Sequence, residues 1–524
     1  MSKPLSFGKI DVAIQATMES SRGEVEPDTP FRIALLGDFS NRTGRGLTCS
    51  ADELARLRPV LVDRDNFDDV MAGFHVEAQI LLDPASGTQA SLRFASLEDF
   101  HPDRLCTEMP ALRLLFDLRQ RLENTKTFAA AAAELQALVG STTSQSGEPE
   151  TAEAPSSGSD VARLNPSDLL SQIIGEPTSE AQSPRPSSPS QGEWNTYLQK
   201  IVAPHLTPQA NPRRDELIEQ VDIAISQQMR TLLHTPTLQA VEALWRAVSF
   251  LVNRVETSPQ LKLYLLDISQ DELAADLRST ENLHATALYR LLVEQSVGTL
   301  GGEPWAVVAG HYTFSANEED VEVLGRIAKI AQQAGAPFLA AANPQIFGCS
   351  SLAETPDPDD WQQPIAQEAR EAWRALRQLP EATYLGLIAP RFLLRLPYGR
   401  ATEPTERFAF EEMDVPPSHD AYLWGNPAFA CVYLLAEAFS QYEWDLRPGA
   451  IQNIEGLPLH IYRDGGESIT KPCAETWLTE RAAERIMDTG LMPLVSMKNQ
   501  DVVRLARFQS LADPPRALAG RWNK

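Results

Sequence analysis

The run FRIALLGDFSNRTGRG, residues 31–46, sets an apolar strand-like segment against a glycine-containing turn. That is how a nucleotide's phosphates are commonly held, on backbone amides at a strand-to-helix turn. A phosphate loop of that kind needs G-x-x-x-x-G-K-[ST]. Here Gly37 is followed four and five residues on by Asn41 and Arg42, and Gly44-Arg45-Gly46 has no Lys-Ser/Thr after it. Asp38 would repel a phosphate, and G-x-G-x-x-G is not present either. The stretch reads as a sharp structural turn.

Other reactive residue types are as poorly placed. Gly348-Cys349-Ser350-Ser351-Leu352 half-matches a nucleophile elbow, but Leu352 stands where the strained turn needs glycine. His75, His101, His205, His234, His284, His311, His419 and His460 show no metal-ligand spacing and read as capping or surface residues. Glu411-Glu412 would point to different sides of a strand or loop, which suits a solvated edge better than acid/base work. No constellation demands catalysis, so the chain reads as a non-enzyme with no cofactor and no metal.

The elements around these residues form a mixed α+β and α/β pattern. Strands are expected at Arg32–Leu36, Phe74–Leu82 and Ser91–Leu97, a helix from Pro102 to about Leu118, and an alanine-rich helix from Thr127 to Val139. Residues 141–193 are rich in Ser, Pro, Glu and Gly and read as a flexible linker, with Asn165–Gly175 as a short helix or transient turn inside it. Asp215–Leu233 is amphipathic. Thr235-Pro236 then starts a helix carrying Leu238, Val241, Trp245 and Val248, with Thr235 as its cap. Ala306–Phe314, Glu318–Ala334 and Pro337–Ala342 form a strand-helix-strand unit with parallel pairing, with a capping box at Ser315-Ala316-Asn317-Glu318 and Gly335 as the stop. The domain boundaries expected are 1–140, the linker 141–193, and 194–524.

The 524 residues exceed one ordinary core, and length alone suggests about three to four domains. A formal charge of −25 opposes nucleic-acid binding and repels an acidic membrane surface. No apolar run approaches the ~18 residues of a membrane span, and the N-terminus lacks a signal-peptide core. Five well-separated cysteines (Cys49, Cys106, Cys349, Cys431, Cys473) read as buried thiols in a reduced, cytoplasmic setting.

The longest distinctive motifs carry a resemblance. MRTLLHTPTLQAVEALWRAVSFLV (229–252), PRFLLRLPYG (390–399), FAFEE (408–412), YLWGNPAFA (422–430), IEGLPLHIY (454–462), LTERAAERIMDTG (478–490) and LMPLVSMKNQDVVRLARFQSLADPP (491–515) resemble, in order, the large sheath subunit of type VI secretion systems (TssC/VipB). PFRIALLGDFSNR (30–42) and LRFASLEDFHPDRL (92–105) resemble the small subunit (TssB/VipA). The chain is thus similar to a fusion of the two, with a 1:1 ratio fixed by the linker. Ala247 stands where the W-R-G-L signature has glycine.

The resemblance implies a structural subunit of a contractile sheath, a bacterial cytoplasmic helical tube of copies of this chain around an inner tube of an Hcp-like protein. It also implies baseplate components and a ClpV-like unfoldase as partners, although the linker here occupies the place of the large subunit's free N-terminus. A non-contractile baseplate or adaptor protein on the same fold is the alternative. The motif residues would be structural or assembly residues. In the small-subunit motif these are Gly37, Asp38 and Phe39. Trp245, with Leu244 and Val248, would anchor the post-linker helix, and Arg246 belongs to the same motif. In the RFLLRLPYG stretch Arg391, Arg395 and Tyr398 would pair with acidic neighbours, with Leu396, Pro397 and Gly399 as structural residues of the same motif. Trp424, Gly425 and Asn426 shape a turn into the next helix. Pro493, Lys498 and Arg504 lie in the closing motif, with the last two facing acidic surfaces between protomers.

Overall fold

The structure, a computed structural model, describes residues 5–10, 28–83, 88–140, 214–299 and 301–522. The expected linker and its Asn165–Gly175 island lie outside the described residues. Two compact units result, one of Met1–Ile80, Ser91–Arg113 and Ile225–Lys524, the other of Leu81–Ala90 and Leu114–Ala224.

The strands are β1 (Phe31–Gly37), β2 (Val60–Val62), β3 (Val76–Asp83), β4 (Thr88–Phe94), β5 (Leu261–Asp267), β6 (Trp305–Phe314), β7 (Phe338–Ala342), β8 (Leu385–Ala389), β9 (Phe392–Leu393), β10 (Trp424–Gly425), β11 (Asn453–Ile454), β12 (Ile461–Asp464), β13 (Glu467–Thr470), β14 (Met492–Ser496) and β15 (Val503–Leu505). The helices used below are α1 (Ala51–Leu54), α2 (Phe67–Gly73), α3 (Pro102–Glu108), α4 (Pro110–Glu123), α5 (Phe128–Gly140), α6 (Arg214–Leu233), α7 (Pro236–Arg254), α8 (Gln270–Arg278), α9 (Glu318–Ala334), α10 (Gln367–Arg377), α11 (Pro427–Tyr442) and α12 (Glu480–Asp488).

The first unit is built on a nine-stranded sheet in the order β11-β15-β14-β8-β7-β6-β1-β5-β2. Its centre is parallel, because continuous apolar runs such as Ile33–Leu36 and Phe338–Ala342 need cover on both faces, which crossover helices supply. Strand β1 pairs with β5 from Phe31↔Leu261 to Gly37↔Asp267 and with β6 through Ile33↔Val307 to Leu36↔Gly310. The N-terminal strand therefore lies inside the parallel part of a sheet, between two strands that arise more than two hundred residues later. Its residues Ile33, Ala34, Leu35 and Leu36 are fully buried.

The described residues of the second unit are mostly helical, with the ends of β3 and β4 beside them. Leu115, Leu118 and Leu122 of α4, Ala131 and Leu135 of α5, and Leu217 and Val221 of α6 are buried. Arg119 binds Asp222 across it and Glu123 within α4, and Arg121 reaches Glu134 at 2.6 Å.

Several expectations shift for identifiable reasons. The helix expected from Pro102 to Leu118 breaks at Met109, because Pro110 forces the residue before it out of the helical region; Met109 has ψ 117. The second strand starts at Val76 because Phe74 closes α2 and His75 takes φ 51. The third is Thr88–Phe94, since Ser96 caps the turn that includes Leu97. Asn317, rather than Ser315, caps α9 by accepting from the Asp320 amide at 2.7 Å. Thr235 occupies the cap position of α7, but its hydroxyl donates back to the Thr231 carbonyl at 2.9 Å.

Candidate functional site

The turn after β1 is held by the chain's own carboxylates. Asp38 accepts from the amides of Arg42 at 2.7 Å and Thr43 at 2.9 Å, so amides that a phosphate would require are already bonded. Gly37 lies so close to α7 that a Cβ there would sit 3.0 Å from Leu244 Cδ1. Trp245 donates its indole N–H to the Phe39 carbonyl at 3.0 Å and meets the rings of Phe39, Phe67 and Phe74 edge-on at 5.6–5.8 Å. The Arg42 guanidinium crosses to Asp267 at the end of β5 and to Glu272 of α8, the latter at 3.0 Å. Burial pushes the Asp267 carboxyl up against the pull of Arg42. Glu272, also opposed by burial, is held below its ordinary value by Arg42 and the amides of Ser269 and Cys49.

A second junction is centred on Arg395. Its guanidinium, 6% exposed, donates to Glu242 of α7 at 2.7 Å and takes both oxygens of Glu412 at 2.7 and 3.0 Å; both carboxylates are fully buried. Arg246 also binds Glu242 at 2.7 Å, giving two cations for two anions. Tyr398 gives its amide to Glu412 at 2.7 Å, accepts from Arg246 at 3.1 Å and lies under Arg395 at 4.4 Å. His101, from the N-terminal third, meets the Tyr398 ring edge-on at 5.1 Å, and Asp103 accepts from the amides of Glu406 and Arg407. Burial alone would raise the Glu412 carboxyl; Arg395 and its hydrogen bonds hold it at about 2. The expected solvated edge at Glu411-Glu412 is corrected here: Glu412 is buried because it closes this network. His460 departs from a surface role as well, being buried and 2.7 Å from the Tyr422 hydroxyl.

Arg391 donates to Glu475 at 2.8 Å through Nε and 2.9 Å through its amide, and Glu475, though opposed by burial, lies at about 2 because of His419 and Arg391. Gly425 allows β10 to approach Leu394, whose Cδ2 would be 2.8 Å from an added Cβ. Trp424 donates to the His419 carbonyl at 2.9 Å. Asn426 caps α11 by accepting from the Ala428 amide at 3.0 Å and gives its own N–H to the Tyr312 carbonyl at 2.9 Å. Asn426→Ala should cost about 2–3 kcal/mol, a lost cap plus a buried carbonyl stripped of a donor. Chemical denaturation at neutral pH would read it.

Leu396 and Pro397 carry the chain from Arg395 to Tyr398, and Gly399 donates its amide to the Glu403 carbonyl at 3.0 Å. Pro493 lies in β14 opposite Ala389. Lys498 is exposed, and Arg504 binds Gln452 at 2.8 Å. The structure thus brings the small-subunit motif together with Leu244 and Trp245, and Arg246 with Arg395 and Tyr398. Arg391 and Trp424 meet instead near His419. The partners not foreseen are Glu242, Glu475, Asp267 and Glu272. Glu242 left a trace, as a carboxylate on the apolar stripe of α7 next to Val241.

Stability should fall in acid in two stages. Burial holds the His311 imidazole at about 4, below its ordinary 6.5, so the unfolded chain takes up that proton first and stability declines below pH 6.5. Glu412 and Glu475 are depressed from 4.5 to about 2, so their contribution is full above pH 4.5 and is lost as pH falls toward 2. Each is worth on the order of 3 kcal/mol. Denaturant midpoints measured from pH 7 to pH 3 should steepen below 4.5, and less so in Glu475→Gln.

Among the described residues, no group of three or more His, Cys, Asp or Glu is placed to hold a metal ion, and no helix is long and apolar enough to cross a membrane. Cys106, Cys349, Cys431 and Cys473 are buried free thiols, and Cys49 is half-buried.

An N-terminal strand completes a mixed α/β sheet, and buried ion pairs tie together segments distant in sequence. Residues 215–512 match the family described as EvpB/VC_A0108, tail sheath N-terminal domain, and residues 9–152 match that described as Type VI secretion system, VipA, VC_A0107 or Hcp2. The first match covers more than half of the chain, which belongs to this VipB tail sheath family. One polypeptide therefore carries a VipA-type and a VipB-type region, consistent with a TssB–TssC fusion. The chain is also 34% identical over 307 residues to the Type VI secretion system sheath protein TssC1 of Pseudomonas aeruginosa (strain PAO1). That similarity covers 57% of this chain and 61% of the relative, so the chain spans less than two thirds of that protein's length.

Proposed function

We propose that this chain is a subunit of a type VI secretion contractile sheath, a structural protein that polymerises with copies of itself into a helical tube around an inner tube and drives it outward. The observation that carries this reading is the place of β1. The strand from the VipA-type region lies between β5 and β6 of the VipB-type region, so one chain supplies what two subunits otherwise would. A helical tube requires heterologous contacts that do not close. Contraction burying a few hundred Å² more apolar surface per protomer would yield up to several kcal/mol each, at about 25 cal/mol per Å², and the sum over many copies would drive ejection without nucleotide hydrolysis by this chain. An Hcp-like inner tube, baseplate components and a ClpV-like unfoldase are the partners this reading assigns.

Electron microscopy of the purified protein tests it. Tubes with a helical lattice are expected; particles that stay single at every concentration would favour the non-contractile baseplate or adaptor role. Stoichiometric ATP turnover by the purified chain would contradict the non-enzymatic mechanism.

A further inference from the structure

We propose that the groove between residues 281–283 and helix α9 is a peptide-binding socket, and that its ligand is the Ser-Phe-Gly-Lys segment, residues 6–9, of the same chain. The groove offers three kinds of recognition. Backbone comes first: the Lys9 amide donates to the Glu281 carbonyl at 2.7 Å and the Leu283 amide donates to the Lys9 carbonyl at 3.0 Å, adding a parallel bridge as a short strand would. Two cations then read carbonyls. Arg326, its side chain 2% exposed, is fixed by the carbonyls of Leu277 and Thr280 and by Glu281 and Glu322, leaving Nε directed at the Ser6 carbonyl at 3.1 Å. Lys329 Nζ donates to the Gly8 carbonyl at 2.7 Å.

Shape supplies the rest. Gly325 of α9 leaves a notch that the Phe7 ring fills, since a Cβ at 325 would collide with that ring. Gly8 has φ +69, a conformation costly for other residues, and a Cβ there would sit 3.0 Å from the Leu283 side chain. The socket therefore selects an aromatic residue followed by glycine. Glu281 adds a bond to the Ser6 hydroxyl. Leu5, Phe7 and Ile10 rest on the core only partly buried, as the side chains of a docked segment would. This site is independent of the sheath reading: it stands whether or not tubes form.

Hydrogen exchange on the full-length chain tests it. In the unsubstituted protein the amides of Lys9 and Leu283 should be protected to the same degree at all protein concentrations. Gly325→Leu fills the notch and Gly8→Ala strains the segment; each should speed exchange at both amides at least tenfold while β5, β6 and β7 keep their protection. Added synthetic peptide Leu-Ser-Phe-Gly-Lys-Ile should restore Leu283 protection in Gly8→Ala and fail to do so in Gly325→Leu. Unchanged protection in Gly8→Ala, no rescue of that variant by peptide, or loss of protection spreading into the sheet would overturn the socket. Protection that rises with protein concentration would overturn the assignment of the ligand to the same chain.

Discussion

Arg395→Met should be the most damaging single change at the ion-pair junctions, costing about 3–5 kcal/mol, because it leaves Glu242 and Glu412 charged and fully buried without their shared partner. The loss is one-sided. Arg246 still reaches Glu242, but among the described residues Glu412 keeps only the Tyr398 amide at 2.7 Å and His234 at 3.5 Å. The expected result is a melting temperature lowered by several degrees or an insoluble chain. Adding Glu412→Gln to Arg395→Met should recover part of the loss by removing one stranded charge. Arg391→Ala should cost clearly less, since the Arg391 side chain is 47% exposed and Glu475 keeps His419 beside it. Equal losses in the two arginine variants would count against the burial argument, and denaturant titration at neutral pH distinguishes the outcomes.

The second large effect is expected at Leu35. Leu35 is fully buried in β1, opposite Leu265 of β5 on one side and Ala309 of β6 on the other. Leu35→Asp puts an unpaired carboxylate into the buried layer on one face of the sheet, at a cost of at least several kcal/mol. Because β1 is paired on both sides, with β5 and β6, the damage should not stay in the N-terminal third. Amides of β5 and β6, more than two hundred residues away in sequence, should lose hydrogen-exchange protection together with those of β1. Loss confined to residues before the expected linker would mean that the two regions fold apart.

What could be read in the sequence was what is local. The continuous apolar runs of β1, β6 and β7 announce buried strands, and the α9 bounds Glu318–Ala334 follow from the capping pattern before it and Gly335 after it, although the cap itself is Asn317 and not Ser315. Leu261–Asp267, Leu385–Ala389 and Met492–Ser496 raised no strand expectation, though all three pair in the sheet. Short apolar runs of this kind take their state from neighbours, and those neighbours are distant. The same limit applies at the junctions. Arg391 and Arg395 are legible as cations in need of acids, but Glu475 is 84 residues from the first and Glu242 is 153 from the second. Glu412 looked like a surface acid because nothing nearby in sequence marks a position as buried. The placement of β1 inside the later sheet was equally invisible, since strand order depends on which distant edges meet.

The measurement that bears most directly on a one-chain building block is co-purification of its two halves. Residues 1–140 and 194–524, expressed together as separate polypeptides, should elute as one 1:1 complex and melt in a single transition, with the longer half insoluble when made alone. Two halves that fold separately and never bind each other would contradict the account.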